Sequence, residues 1–196
     1  ITLEMAEEKI AERIDANLLN VNIQNITDLP KAMFEKKVHK LKKKTQGELI
    51  IKEYPTASAH SGHFKALLNE LSLKKSFKPD IIFIDYLNIC ASSRYRANSN
   101  VNSYSYIKAI AEELRGLAVE ANLPIVSATQ TTRSGYGSSD VDLTDTSESF
   151  GLPATADLMF ALISTEELEG LNQIMVKQLK NRYNDPTIYK RFVIGI

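Results

Sequence analysis

Ile81-Ile-Phe-Ile-Asp-Tyr-Leu87 is the stretch on which the fold turns. Four apolar residues without a polar break suit a strand covered on both faces, the habit of parallel sheets rather than of antiparallel ladders with one wet side. A carboxylate, Asp85, stands where that strand would end. Pro124-Ile-Val-Ser-Ala-Thr-Gln130 is a second buried run, closing on an amide. Between them Ile107, Ile110, Leu114 and Leu117 recur at helical spacing and predict a long helix over 103–121. Strand, helix, strand in this order implies a right-handed crossover between parallel neighbours.

The same reading extends outward in both directions. Ile10, Ile14 and Leu18 mark a helix over 5–19, a second helix covers about 30–44, and Phe64, Leu67, Leu68 and Leu71 give one over 61–76. Residues 48–54 read as a short strand stopped by Pro55, and Ile1-Thr2-Leu3 as the tail of another. Downstream, 158–163, about 173–180 and about 188–195 read as strands, the last two joined by a turn at Asn184-Asp185-Pro186. Polar stretches at about 91–102 and 131–147 are loops. The fold class is therefore α/β: a mostly parallel sheet with helices on both faces and an antiparallel edge hairpin, in a single domain over 1–196. Because Ile1 stands in mid-pattern, the chain reads as a piece of a longer protein.

Composition bounds the function. The 196 residues are 43% apolar and 24% charged, an ordinary globular balance. Twenty-four basic and twenty-four acidic side chains cancel, which excludes a polycation that coats nucleic acid by charge alone. Residues 1–80 carry a net +3 and residues 81–196 a net −3, too mild a split to name a partner. Phe34, just before the lysine-rich run Lys36–Lys44, stands at helical spacing with Val38 and Leu41 inside it, so the lysines cover a solvent face. No apolar run approaches a membrane span, no signal peptide opens the chain, and one cysteine, Cys90, fits a reducing compartment. A soluble intracellular domain is expected.

In open parallel sheets, function gathers at the carboxyl ends of strands. Glu4 follows the first fragmentary strand, Asp85 ends the Ile81–Ile84 run, Gln130 ends the Pro124–Thr129 run, and Lys180 and Arg182 close the strand near 173–180. Two acids, an amide and two cations at one edge suit phosphoryl chemistry: an acid for magnesium, an acid for water, an amide sensor, cations for developing charge. Each alone has an ordinary explanation. A strand-end Asp caps turns, an acid ahead of a helix answers its dipole, the amide can satisfy loop backbone, and the two cations can form a solvated edge. Other candidates are weaker. His60 and His63 have an HxxH spacing in a loop, without the further ligands zinc needs. Cys90 has no base and reads as a small buried residue. No G-x-x-x-x-G-K-[ST] occurs anywhere.

Thr2-Leu-Glu-Met5, Ile81-Ile-Phe-Ile-Asp-Tyr-Leu87, Ser127-Ala-Thr-Gln130 and Lys180-Asn-Arg182 stand in an order and spacing that resembles the DnaB-like hexameric replicative helicases. Three linking stretches narrow the likeness to the helicases of T-even-type bacteriophages. They are Ala6-Glu-Glu8 through Arg13-Ile-Asp-Ala-Asn17, Ile107-Lys-Ala-Ile-Ala-Glu-Glu-Leu-Arg115 and Ser147-Glu-Ser-Phe-Gly-Leu-Pro-Ala-Thr-Ala-Asp157. The resemblance implies a RecA-like P-loop NTPase core working on ATP or another NTP with Mg2+. It gives Glu4 the role of catalytic base for water, Asp85 a hold on magnesium through water, and Gln130 that of γ-phosphate sensor. Lys180 and Arg182 become the pair that reaches a neighbouring subunit's nucleotide. The loops at 91–102 and 131–147 would line a channel for single-stranded DNA, with Arg94, Arg96 and Arg133 as their cations. Implied partners are further copies in a hexameric ring, single-stranded DNA, primase and a helicase loader, in the cytoplasm of an infected host if the chain is phage-encoded.

The departure from the family is large. Its phosphate-binding loop would lie upstream of Ile1, and its strand would run inside the sheet between those ending at Gln130 and at 163. Without that strand the two must close up, recruit another chain, or leave open edges, which invite pairing. An ATP-silent remnant that binds DNA or partners, and a RecA-like recombinase ATPase, stay open as alternatives.

Overall fold

The computed structural model describes residues 1–96, 100–131, 142–143 and 151–196. Helices α1 (Glu7–Leu19), α2 (Ile23–Ile26), α3 (Lys31–Lys42) and α4 (Ser61–Lys75) precede strand β1 (Ile82–Ile84). After a 3-10 turn at Leu87–Ile89 come α5 (Ser103–Ala121), β2 (Ile125–Ser127) and α6 (Gly151–Thr155). Then follow β3 (Leu158–Ile163), α7 (Glu166–Gly170), β4 (Gln173–Asn181) and β5 (Arg191–Gly195).

Local chemistry sets the ends of these elements. The Asn102 side chain caps α5 by accepting from Ser105 N at 2.8 Å, and Asn122 ends it in the left-handed region at φ 51°. Helix α1 has no side-chain cap of its own at Ala6. Glu53 supplies one from a distance: its carboxylate accepts from Glu7 N at 3.3 Å, while Glu7 accepts from Glu53 N at 2.8 Å. Most lysines of α3 are exposed and none of its residues is fully buried, as expected of a solvated helix.

Strands β1 and β2 pair in parallel, Ile82 opposite Ile125 and Ile84 opposite Ser127. Thr2 extends this sheet by parallel bridges to Asp85 on one side and Glu53 on the other. The strand expected over 48–54 shrinks to that single bridge, because among the described residues it pairs with Thr2 alone. The core lies between this sheet and helices α4 and α5, where Leu3, Phe64, Ile84, Cys90, Ile110 and Leu117 pack together. The cover is one-sided. Phe83 and Val126 are exposed, contrary to the expectation that both runs are buried on two faces.

Strands β3, β4 and β5 form a separate antiparallel sheet in that order. The nine residues between Ile163 and Gln173 are too few for a parallel crossover, so β4 folds straight back on β3. The turn between β4 and β5 is held by Asp185, which accepts from Thr187 N at 2.8 Å and from its hydroxyl at 2.7 Å. The two strands that flank the gap do not close up: among the described residues β2 pairs only with β1, and β3 only with β4. Sequence reading also missed α2, α6 and α7, each of four or five residues and too short to show a helical period.

Among the described residues no helix is long and apolar enough to cross a membrane, and no group of three or more His, Cys, Asp or Glu gathers as a metal cage. The HxxH pair is not in a loop. His60 caps α4, accepting from Gly62 N at 3.0 Å, and His63 accepts from His60 N at 3.2 Å from inside the helix.

Candidate functional site

Three of the singled-out residues meet at the carboxyl end of the parallel sheet. Leu3 N donates to Asp85 O at 2.9 Å and Asp85 N to Ile1 O at 3.0 Å, so Glu4 and Asp85 end adjacent rows. Leu87 N reaches Ala128 O at 3.2 Å and the Ser127 hydroxyl reaches Ile84 O at 2.8 Å, tying in the row that ends at Gln130. Gln130 then donates from its amide to the Tyr86 hydroxyl at 3.1 Å, beside Asp85. All three side chains are exposed, while Thr2 and Leu3 behind them are buried. Strands covered on one face thus hold accessible polar tips. Thr2 helps by bonding locally, its hydroxyl donating to Met5 O at 2.8 Å and accepting from Met5 N at 3.1 Å, which fixes the turn that carries Glu4.

Lys180 and Arg182 do not join that edge; they form a second cluster in the antiparallel sheet. Both reach the end of α6. Lys180 donates to Pro153 O and Ala154 O, and Arg182 Nη2 to Ala154 O at 2.9 Å. Arg115 of α5 completes the group with Thr155 O at 2.9 Å. The last carbonyls of a helix lack intrahelical partners, and here three cations satisfy them. Asp157 balances the charge, accepting from Arg115 Nη1 at 2.9 Å and lying 3.1 Å from Arg182 Nε. Burial, then the nearby Arg182 and Arg115 charges, pull the Lys180 ammonium below its usual range, with Asp157 opposing. The expectation that all five residues share one edge is therefore corrected. β4 runs antiparallel to β3, in a sheet that among the described residues is not hydrogen-bonded to the parallel one.

Of the loop cations, Arg94 pairs with Glu112 of α5 at 2.5 Å, with Lys108 3.9 Å from the same carboxylate. Hydrogen bonding to Glu112 raises the Arg94 guanidinium above its usual range. Arg96 is exposed, and Arg133 lies outside the described residues. Cys90 is buried and inert, as read from sequence: burial pushes its thiol up to about 12.

Sequence reasoning missed Tyr86, Arg115 and Asp157. It also missed Glu113, a buried carboxylate at the root of the 91–102 loop. A signal existed for Glu113, which stands three residues after Ile110 and four before Leu117, inside the apolar stripe of α5.

The sequence matches the DnaB-like helicase C terminal domain family over residues 1–190. It is 49% identical over 199 residues to a DnaB-like replicative helicase of Enterobacteria phage T4, covering 100% of this chain and 42% of that one. A probable plasmid replicative DNA helicase of Chlamydia psittaci is 29% identical over 191 residues, covering 93% and 40%. The chain thus spans less than half the length of these relatives. The solved structure of a DnaB-like replicative helicase and its interactions with primase shares the fold at a TM-score of 0.75, over 98% of this chain and 46% of that one. A second solved structure, of an ATPase domain, does so at 0.74, over 98% and 69%. At 19% identity these two bear on the fold alone. Matched by the family model along nearly all its length and sharing the fold of such ATPase domains, this chain belongs to the DnaB-like helicase C terminal domains.

Proposed function

We propose that this chain is most of the ATP-hydrolysing domain of a ring-forming replicative helicase that moves along single-stranded DNA and unwinds duplex. The observation that carries this reading is the alignment of Glu4, Asp85 and Gln130 on consecutive parallel rows, beside an edge of β2 that pairs with no strand among the described residues. A strand bearing the phosphate-binding loop fits that opening. The full-length protein, in this reading, is the longer chain in which such a segment accompanies residues 1–196.

Glu4 orients the attacking water and takes its proton, a role that suits an exposed carboxylate with no hydrogen-bond partner among the described residues. Asp85, with Glu4 on the next row, offers hard oxygen donors. Magnesium usually keeps several waters and takes one or two carboxylates plus phosphates, so this pair fits it without a larger cage. When bound, the ion would neutralise charge on the nucleotide phosphates. Gln130 senses the γ-phosphate, and its bond to Tyr86 gives it a fixed resting position. Lys180 and Arg182 act on the nucleotide of the neighbouring subunit. Arg94, Arg96 and Arg133 grip the DNA backbone, and primase and a helicase loader are partners of the ring. The kinship with a phage helicase supports a place of work in the cytoplasm of an infected host.

A second reading has its own support. The 196 residues contain no G-x-x-x-x-G-K-[ST], so by themselves they make a domain that binds DNA or partners without turning over ATP. One experiment addresses both readings. The isolated chain releases no phosphate from magnesium-ATP, the full-length protein does, and Glu4→Gln abolishes that release while nucleotide binding remains. Full-length turnover unchanged by Glu4→Gln would overturn the assignment.

A further inference from the structure

Glu113 is out of place by the rules that built α5. It lies on the buried face with Ile110, Leu114 and Leu117, at 9% exposure. An acid there costs desolvation, and an apolar residue of similar size commonly does as well or better for stability. Among the described residues no ion pair holds its carboxylate; the Arg94 guanidinium pairs with Glu112 instead. Its partners are donors from two other elements. The Ser92 hydroxyl donates at 2.6 Å, Ser93 N at 2.8 Å and Arg94 N at 3.3 Å, all from the start of the 91–102 loop. The Ser61 hydroxyl at the head of α4 donates at 3.3 Å. Burial pushes this carboxyl up, but the bonds from Ser92, Ser93 and Arg94 outweigh burial and hold it below the usual range. It is therefore an anion in the folded protein.

The bonds converge on the one short stretch that leads from the sheet to the loop cations. Ser92 is fixed further, its N–H donating to the Tyr106 hydroxyl at 3.1 Å and its own hydroxyl accepting from Arg94 N at 3.1 Å. Upstream, Ala91 N donates to Ala59 O at 2.8 Å and Leu87 N to Ala128 O at 3.2 Å, so the backbone from Asp85 to Arg94 is held along its length. We infer that Glu113 is a positioning residue for the DNA-gripping loop: its buried carboxylate pins Ser92, Ser93 and Arg94 so that Arg94 and Arg96 leave the sheet from a fixed point. This rests on the reading of that loop as a single-strand contact. It extends that reading to a residue that touches neither DNA nor nucleotide.

The test uses Glu113→Leu in the full-length protein, since an apolar replacement keeps the helix face filled. The expected result is a melting temperature equal to wild type or higher and basal ATP turnover within about twofold. Affinity for an oligo-dT strand falls about tenfold, the scale of losing one charge-assisted hydrogen bond. Combined with Arg94→Ala and Arg96→Ala, Glu113→Leu should add nothing further, because it acts through those cations. If Glu113→Leu does not fold, Ser92→Ala removes the shortest of the loop's bonds to the carboxylate and should lower DNA affinity in the same direction. Wild-type affinity in Glu113→Leu, or in Ser92→Ala where that variant stands in, overturns the inference, provided Arg94→Ala with Arg96→Ala has lowered it. So does an equal further loss in the doubly substituted background. Wild-type affinity in Arg94→Ala with Arg96→Ala instead removes the DNA role of the loop, and this inference falls with it.

Discussion

The two sheets are made of equally apolar strands and differ in how much packs on their covered faces. Each has one dry and one wet face: in β1 Ile82 and Ile84 are 6% and 2% exposed and Phe83 is 57%, and in β3 Ala161 and Ile163 are 8% and 3% exposed while Leu158, Phe160 and Leu162 are 51%, 48% and 66%. The first sheet has α5 laid against it, a nineteen-residue helix whose apolar stripe matches the strand rows. The second has only a small cluster of Ala161 and Ile163 with Met175 and Leu179 on one face, and its other face stays bare. A short apolar run between turn residues selects a strand; a partner of sufficient length decides how dry its inner face is. An apolar face left in water marks an interface. The polar groups divide in the same way. Acids stand at the tips of the covered sheet with an amide, and cations gather at the edge of the bare one. On our reading the covered sheet hydrolyses its own nucleotide, and the bare sheet faces a neighbour.

The largest effect expected is on turnover. In the full-length protein Arg182→Ala should lower ATP hydrolysis on the order of 10³-fold, as loss of a charge-stabilising finger does, with ATP affinity little changed. Steady-state turnover beside equilibrium nucleotide binding reads both. Equal losses in the two would make Arg182 a structural prop of α6.

Stability separates the sheets next. Ile110→Ala, in the core under the parallel sheet, should cost about 2–5 kcal/mol. Leu162→Ala, on the bare face, should change stability by no more than about 0.5 kcal/mol. Urea denaturation of each variant measures the pair. A large cost at Leu162 would mean that the face is covered in solution.

Cys90 gives a smaller effect, confined to the covered side. Its thiol is raised to about 12, so folding favours the neutral form. The stability this lends is whole below the ordinary thiol range and is lost as pH climbs through about 12. At pH 8.5 alkylation of the native protein should be roughly a hundredfold or more slower than of the urea-unfolded chain. Comparable rates would show that the core around Cys90 opens readily.

Much of this was legible in the sequence. Helices α1, α3, α4 and α5 declare themselves by period, and β3 and β4 by apolar runs between turn residues. Glu4, Asp85 and Gln130 follow from the rule that strand ends carry function. The strand over 48–54 was not legible, since its length depends on how many residues a partner offers, and Thr2 offers one. The company of Arg182 was hidden too. Arg115 and Asp157 lie 42 residues apart in sequence and meet only through the packing of α5 against α6. Glu113 was missed because an acid in an amphipathic helix ordinarily faces water, although its place in the apolar stripe of α5 was a signal, and its neighbours in the fold show that this one does not.

The most direct test of the division between the sheets mixes subunits. Full-length Glu4→Gln subunits lack the base of the covered sheet, and Arg182→Ala subunits lack the cation of the bare one. If the two act across a subunit boundary, some interfaces of a mixed ring unite an intact Glu4 with an intact Arg182. ATP turnover should then rise well above that of either variant alone. Turnover that stays at background in rings shown by native mass spectrometry to be mixed, while wild type diluted with either variant loses activity only in linear proportion, would contradict it.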